Sequence, residues 1–268
     1  MRIIVKTYSV VFFFSLGLLS LLMGCDDSTA VTNPYPQLAT DIDGFAYAYA
    51  VDTAGVEVDI DTGITVSVEG DSSTAKTDSI GLWSIAGLTN GTYNLDFSKP
   101  GYGEKKLIGV PFVSSTSQGY YTGNIKLYPI PTYSVAGISD SISTIYGYVY
   151  VNGTFSGTLP KSPGSAEGYV FFGTSPAVSS TNYLAYTYGS SNALSCSNDL
   201  PSTSTFSVCS DTATFQNEGF KSGDTVYAIA YGGSADNNAV GYIDPATNKA
   251  VFTSLNPAQS NVISFVLP

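Results

Sequence analysis

The chain contains no histidine and few charged residues. Without histidine, the Ser–His and Cys–His pairs that activate nucleophiles cannot form, and the commonest zinc ligand is missing. P-loop, dinucleotide-binding and Gly-x-Ser-x-Gly patterns are not found either. A glycosidase-type carboxylate pair is chemically allowed, but no acidic pair stands out from the acids of turns and surfaces. The sequence therefore predicts a non-catalytic protein without cofactor or metal.

Positive charge is scarce as well. The formal net charge is -11, and the removal of Arg2 and Lys6 with a leader would make it more negative. An acidic chain repels nucleic acid phosphates. We therefore exclude nucleic acid as a partner.

Helical patterning is absent behind the N-terminal apolar run. Apolar residues instead alternate with polar ones in short stretches bounded by Gly, Asn, Asp and Pro, as at Ile64, Val66 and Val68. This period of two is typical of half-buried strands. The predicted fold class is all-β, with two tandem β-sandwich domains behind a signal peptide and a flexible tether.

Residues 1–24 have the composition of an export signal. Arg2 and Lys6 precede an uncharged, mostly apolar run that ends in Leu22-Met23-Gly24 before Cys25. This ending resembles the lipobox of bacterial lipoproteins. The resemblance implies that Cys25 carries diacylglycerol and acyl chains such as palmitate, and that these hold the protein on a membrane. An uncleaved transmembrane helix is the alternative, but the run is short for spanning and is diluted by serines.

The polar stretch over residues 25–39 has too little apolar surface to fold and is predicted to be a tether. Asp26 and Asp27 accompany inner-membrane retention in some bacteria and surface export in others. We expect a lipid-anchored envelope protein, with the outer membrane, on its periplasmic face or at the cell surface, favoured over the inner membrane.

Two cysteines remain once Cys25 takes the lipid. Cys196 and Cys209 flank a polar stretch, and two cysteines in an oxidising compartment most simply pair. A disulfide of this span stabilises by about 3 kcal/mol in the loop-closure description. Two free thiols are the alternative.

The first domain is predicted over residues 40–129. Its motifs are Thr-Asp-Ser-Ile-Gly-Leu-Trp-Ser-Ile at 77–85, Gly-Thr-Tyr at 91–93 and Gly-Tyr at 101–102. Their order resembles that of the carboxypeptidase regulatory-like domain, a small transthyretin-like sandwich. The resemblance implies a folding, spacing or binding module.

An acidic insertion at 56–63 is expected to lengthen an edge loop of this domain. Trp83 is expected in the core rather than on a sugar-binding surface. Asp59 and Asp61 resemble part of a calcium loop, but solvated acids are the favoured interpretation.

The second domain is predicted over residues 133–268, behind a short stiff linker at Pro129 and Pro131. Residues 220–227 resemble the approach to the tyrosine corner of fibronectin type III domains. The spacing is one residue longer than usual, so an immunoglobulin-like sandwich is the safer description.

Tyrosines supply the only indication of a binding surface. Tyr146, Tyr148 and Tyr150 share one face of a predicted strand, where exposed rings could stack on sugar units. The favoured interpretation is that either set of this strand's alternating side chains simply packs against the other sheet. A further set is expected in a loop, with packing again favoured: Tyr183, Tyr186 and Tyr188.

Three functions follow from these patterns. The leading hypothesis is a non-catalytic envelope lipoprotein for binding, adhesion or assembly, with a glycan or an envelope protein as its partner. The alternatives are a carbohydrate-binding accessory protein of an uptake system and a fimbrial-type structural subunit. In the fimbrial hypothesis the apolar strand over 261–267 could be donated to a neighbour. Pairing of that strand within its own domain is preferred.

Overall fold

The fold is known from a computed structural model, which describes residues 41–51, 57–113, 120–143, 147–160, 165–191, 204–234 and 238–268. These residues belong to one compact unit. The leader, Cys25, the tether, Tyr146 and Cys196 lie outside the described residues. Among the described residues no helix is long and apolar enough to cross a bilayer.

The regular secondary structure of the described residues is almost entirely strand, as the sequence predicts. The strands of the first half are β1 (Asp41–Val51), β2 (Glu57–Ile60), β3 (Thr65–Val68), β4 (Thr74–Lys76), β5 (Leu82–Ala86), β6 (Gly91–Ser98), β7 (Lys105–Phe112) and β8 (Tyr120–Leu127). The elements of the second half are β9 (Ser134–Ser143), β10 (Tyr148–Ser156), β11 (Glu167–Gly173), β12 (Ala185–Ser190), β13 (Thr205–Asp211), α1 (Thr212–Asn217), β14 (Thr225–Gly233), β15 (Val240–Asp244), β16 (Lys249–Phe252), β17 (Leu255–Gln259) and β18 (Ile263–Val266).

The first half is a sandwich of two four-stranded sheets. In one sheet β1 pairs with β2 and β5 antiparallel and with β8 parallel, and the other sheet has the order β4-β3-β6-β7. Alternate side chains of both sheets meet in one core, where Val66, Trp83 and Phe97 are buried. Trp83 is only 2% exposed, so its predicted core position is confirmed.

One element of this half differs from the prediction. Residues 57–60 of the acidic insertion were expected in an edge loop, but they form β2, which pairs with the end of β1. The alternation of Val58 and Ile60 with acidic residues allows a strand here, and β1 offers an unpaired edge to it. Asp59 in this strand lies 3.3 Å from Lys126 Nζ.

The second half is also a sandwich. A sheet of order β13-β10-β9 faces a sheet of order β12-β11-β14, in which β17 and β18 both pair with β14. The core between them contains Val149, Val151, Phe172 and Phe206. A third layer covers the outer face of the larger sheet, because Phe252 of the β15–β16 hairpin packs on Tyr169 and Phe171. Every residue of β11 is therefore buried.

The terminal strand is paired within its own sandwich, with Val226 opposite Phe265. This confirms the preferred expectation, and β18 is not available as a donor strand in this arrangement. The short helix α1 has no counterpart in the sequence-based expectations. Its N-cap is Asp211, whose carboxylate accepts a 2.7 Å hydrogen bond from Thr214 N.

Polar contacts join the two sandwiches beyond the connecting segment. Thr253 Oγ1 donates to Glu104 O at 2.6 Å, and Ser254 Oγ donates to Tyr128 O at 3.3 Å. Lys105 Nζ donates to Val240 O. The two hydrophobic cores are separate clusters. Hydrogen bonds between side chains and backbone carbonyls nevertheless link the two sandwiches. The domain limits at 129 and 133 stay a prediction.

Candidate functional site

Tyr148 and Tyr150 of β10 face outwards. Val149 and Val151 point into the core, while Tyr148 is 37% exposed and Tyr150 is half-buried. The ring centroids of Tyr148 and Tyr150 lie 6.3 Å apart with a 53° tilt. One of the two alternating sets packs against the opposing sheet, as the favoured interpretation has it. The valines fill the core, which leaves Tyr148 and Tyr150 on the outer face.

Polar residues surround this tyrosine pair. The neighbours of Tyr148 across the sheet are Ser143 and Asp211, and those of Tyr150 include Ser141. Hydrogen bonds from Thr214 hold the pKa of Asp211 below its usual value, so the residue beside Tyr148 is ionised at neutral pH.

Cys209 also pairs with Tyr150 across the sheet, on β13. Its predicted partner Cys196 lies outside the described residues. The disulfide between them stays a prediction, and so does any part for Tyr146 in the β10 surface.

Two tyrosines of the second set lie on a strand rather than in a loop. Tyr186 and Tyr188 project from the outer face of β12, and Tyr183 is buried just before that strand. Tyr188 stacks on Tyr169 with 5.5 Å between the ring centroids. A loop was expected for all three tyrosines, but pairing with β11 makes the segment from Ala185 onward a strand.

Tyr183 and Tyr186 are held by the β15–β16 hairpin. Tyr183 OH donates to Ala250 O at 2.7 Å, and Lys249 Nζ donates to Tyr183 O at 2.6 Å. The same ammonium lies 5.2 Å from the centroid of the Tyr183 ring, within the range of a cation–π contact. The Tyr186 ring meets Phe252 edge-on at 4.8 Å. Several neighbours thus set the position of each ring.

A cavity of about 180 Å³ opens between these groups. It is lined by Tyr183, Leu184, Ala185, Tyr186, Glu218, Asn248, Lys249 and Ala250. We call it the Tyr186 pocket. Tyr186 is 37% exposed and supplies an aromatic wall. Glu218, Asn248 and Lys249 supply a carboxylate, an amide and an ammonium at the rim.

The rim is shaped by a tight turn. Asn248 has φ 54°, the left-handed conformation that asparagine tolerates better than most residues, and its N–H donates to Asp244 O at 2.7 Å. The Asp244 carboxylate accepts hydrogen bonds from Ala246 N and Thr247 Oγ1. The turn therefore presents Asn248 and Lys249 in a defined backbone geometry.

The electrostatics keep the tyrosine hydroxyls protonated. Burial raises the pKa of Tyr183 and of Tyr186, and the negative charge of Glu218 contributes to the rise at Tyr186. Both hydroxyls are hydrogen-bond donors at neutral pH. The pocket combines an aromatic face with groups of both charge signs.

Sequence reasoning found the tyrosines of this pocket but missed its polar rim. Glu218 follows α1, and Asn248 and Lys249 end a hairpin turn, far from Tyr186 along the chain. The Asp-Pro-Ala-Thr-Asn run at 244–248 was a usable turn signal. Nothing local to that run indicates which residues it faces.

No known family profile matches this chain, and no curated relative was found. Among the described residues, no group of three or more acidic or cysteine side chains is placed to hold a metal.

Solved structures show distant likeness only. A complex of a type II cohesin with an X-dockerin from Acetivibrio cellulolyticus is 19% identical, with a TM-score of 0.28, over 34% of this chain and 58% of that one. The match thus spans less than two thirds of that neighbour. A supposed carbohydrate binding protein from Bacteroides uniformis is 14% identical, with a TM-score of 0.31, over 85% of this chain and 98% of that one.

A DUF3823 family protein from Bacteroides uniformis is also 14% identical, with a TM-score of 0.29, over 87% of this chain and all of that one (100%). At these identities and TM-scores the likenesses carry no argument about function. The assignment of an all-β sandwich fold rests on the strands and cores of this chain.

Proposed function

We propose that this chain is a non-catalytic binding protein of the bacterial cell envelope, held on the membrane through lipidated Cys25, and that its second sandwich binds carbohydrate. The proposal of carbohydrate binding is based on the residues that line the Tyr186 pocket. The carboxypeptidase regulatory-like and immunoglobulin-like identities of the two halves belong to the same proposal. They rest on the sequence motifs and on the two buried cores.

The composition of the Tyr186 pocket suits a sugar. The C–H face of a pyranose is apolar and packs on an aromatic ring, while its hydroxyls need donors and acceptors around their edge. Tyr186 offers the ring, Glu218 accepts, and Lys249 and Asn248 donate. With one positive and one negative group, the rim favours a neutral sugar over a strongly charged one.

A binding role without catalysis is supported by the chemistry of the chain. The sequence has no histidine. In the Tyr186 pocket Glu218 is the sole carboxylate among the lining residues, so the paired carboxylates of glycoside hydrolysis are not assembled there. A single exposed carboxylate can accept hydrogen bonds from sugar hydroxyls, but general acid–base catalysis of glycoside hydrolysis needs a second carboxyl group.

A glycan array tests the sugar proposal. Full-length protein in detergent is expected to bind one or more neutral glycans, and Tyr186→Ala is expected to weaken that binding about tenfold because the stacking face is lost. Tyr120→Ala is the matched control, since Tyr120 is a similarly exposed tyrosine of the first sandwich.

The same array separates the two tyrosine surfaces. If Tyr148→Ala or Tyr150→Ala lowers binding and Tyr186→Ala does not, the outer face of β10 is the site. No glycan bound by the wild-type protein would end the carbohydrate proposal.

Membrane attachment is tested independently. Cys25→Ala is expected to abolish incorporation of labelled palmitate. It is also expected to leave the signal peptide uncleaved, because in the lipoprotein pathway lipid is attached to the cysteine before the signal peptide is removed. Density-gradient fractionation of wild-type cells is expected to place the protein in the outer membrane. Labelled acyl chains on the Cys25→Ala variant would contradict the anchor, whatever the array shows.

A further inference from the structure

A second cavity lies where the two sandwiches meet. Its volume is about 360 Å³, twice that of the Tyr186 pocket. It is lined by Tyr49, Tyr128, Pro129, Ile130, Pro131, Thr132, Tyr133, Thr158, Leu159, Pro160, Ser165 and Ser234. We call it the junction cleft. Both halves of the chain contribute to its walls.

The walls of the junction cleft are mostly apolar. Ile130 is 36% exposed there, and Leu159 packs at the edge of the second core. Pro129, Pro131 and Pro160 bring rings without backbone N–H groups. The surface of the cleft is therefore mostly apolar, and these prolines add no backbone N–H donors to it.

Carbonyl groups at the start of the connecting segment are already bonded elsewhere. Tyr128 O accepts from Gly103 N at 2.9 Å, and Pro129 O accepts from Ser234 Oγ at 3.1 Å. A ligand in the cleft therefore meets few free peptide acceptors. Bonds to both sandwiches also hold this segment in place.

The rest of the segment is held in the same way. Ile130 N donates to Gly101 O at 2.9 Å, and Pro131 O accepts from Asn256 Nδ2 at 2.8 Å. This wall of the cleft is consequently preformed, and a ligand would not have to order it. Preformed apolar clefts of a few hundred Å³ at junctions between domains are common small-molecule sites.

Two stacked tyrosines form part of one wall. Tyr49 and Tyr128 stack with centroids 5.4 Å apart and planes 27° from parallel. Lys126 Nζ lies 5.0 Å from the Tyr49 centroid and Lys105 Nζ 5.8 Å from the Tyr128 centroid. These cation–π contacts help to fix the rings.

We propose that the junction cleft binds a small, uncharged, apolar compound. An ion would lose its hydration against walls that are mostly carbon. The cleft volume admits a compound of two or three fused or linked rings rather than a folded segment. This activity is separate from carbohydrate binding and does not depend on it.

Benzophenone is a suitable probe, because it is uncharged, has two rings, and under ultraviolet light inserts into nearby C–H bonds. Full-length protein in lipid nanodiscs is irradiated with increasing benzophenone, and mass spectrometry maps the labelled residues. We expect saturable labelling at the residues around Ile130, and we expect excess naphthalene to compete for the same site.

Two aspartate variants give a matched comparison. Ile130→Asp places a carboxylate in the cleft and is expected to lower labelling about tenfold or more. Ile108→Asp changes an isoleucine of similar exposure on β7 and is expected to leave labelling unchanged. Circular dichroism confirms that each variant retains its β spectrum. Conservative shortening, Ile130→Ala, keeps the cleft apolar and is expected to retain saturable labelling.

The proposal is overturned if labelling does not saturate, if it is spread evenly over the surface, or if Ile130→Asp and Ile108→Asp behave alike. A glycan array without hits would leave this result unaffected, because the probe reports the cleft alone. Conversely, labelling that glycans displaced would contradict the separation of the two sites.

Discussion

Asp43 on β1 has an unfavourable environment for a carboxylate. It is buried beside Asp41, and its Oδ1 has no hydrogen-bond partner among the described residues. Ser84 Oγ donates to Asp41 at 2.7 Å, so the available hydroxyl serves the neighbour. Burial, and then the charge of Asp41, raises the pKa of Asp43 to about 6.

This pKa predicts how stability depends on pH. The folded protein holds the Asp43 proton up to about pH 6, whereas the unfolded chain releases it near 3.8. The contribution of the Asp43 carboxyl group to the free energy of unfolding is therefore most favourable below pH 4, and this advantage is lost as pH rises through 6. Asp43→Asn is expected to raise the free energy of unfolding at pH 7 by about 1 to 3 kcal/mol.

Urea unfolding at pH 4 and pH 7 checks this prediction. The gain from Asp43→Asn is expected to shrink towards zero at pH 4, where the wild-type carboxyl is already neutral. Asp140→Asn, at an exposed carboxylate of β9, is the control. An equal gain at both pH values would show that the effect is not the titration of Asp43.

At the scale of elements, strands with one buried face are predictable from the sequence alone. Val149 and Val151 alternate with tyrosines, and β10 forms at that position. The pattern does not say which of two apolar sets faces the core, since valine and tyrosine both suit strands. Only the opposing sheet decides it, and it selects the smaller valines.

Two other elements were harder to predict. The strand β12 was expected as a loop, and α1 was not expected at all. Both depend on neighbours: β12 on the edge of β11, and α1 on burial of Phe215 in the second core. A helix of six residues gains too little by itself to show in a sequence pattern.

At the scale of the whole molecule, the two sandwiches fit closely. A Cβ on Gly103, between β6 and β7, would lie 1.9 Å from Ser254 Oγ and 2.7 Å from Ser254 N. Ser254 belongs to the second half and is buried. Glycine is needed at this position because the backbones of the two halves approach so closely.

Gly103→Ala tests whether this contact matters. If the halves form one unit, the variant must shift them apart, and the free energy of unfolding is expected to fall by about 1 to 3 kcal/mol. Gly91→Ala is the control, since the nearest atom to its added Cβ is a Tyr93 ring atom at 3.4 Å. Thermal unfolding of both variants gives the comparison, and equal melting temperatures would indicate that the connecting segment alone joins the halves.

The sequence by itself determined the strand-rich fold class, the buried Trp83 and the exclusion of histidine chemistry. These depend on residue type and on a period of two, which are local properties. The tertiary structure alone decided which tyrosines are exposed and which residues share a cavity. Tyr186, Glu218 and Lys249 are far apart in sequence, and Tyr49 and Ile130 meet only where the sandwiches meet. Such groupings depend on how sheets pack, which no local pattern encodes.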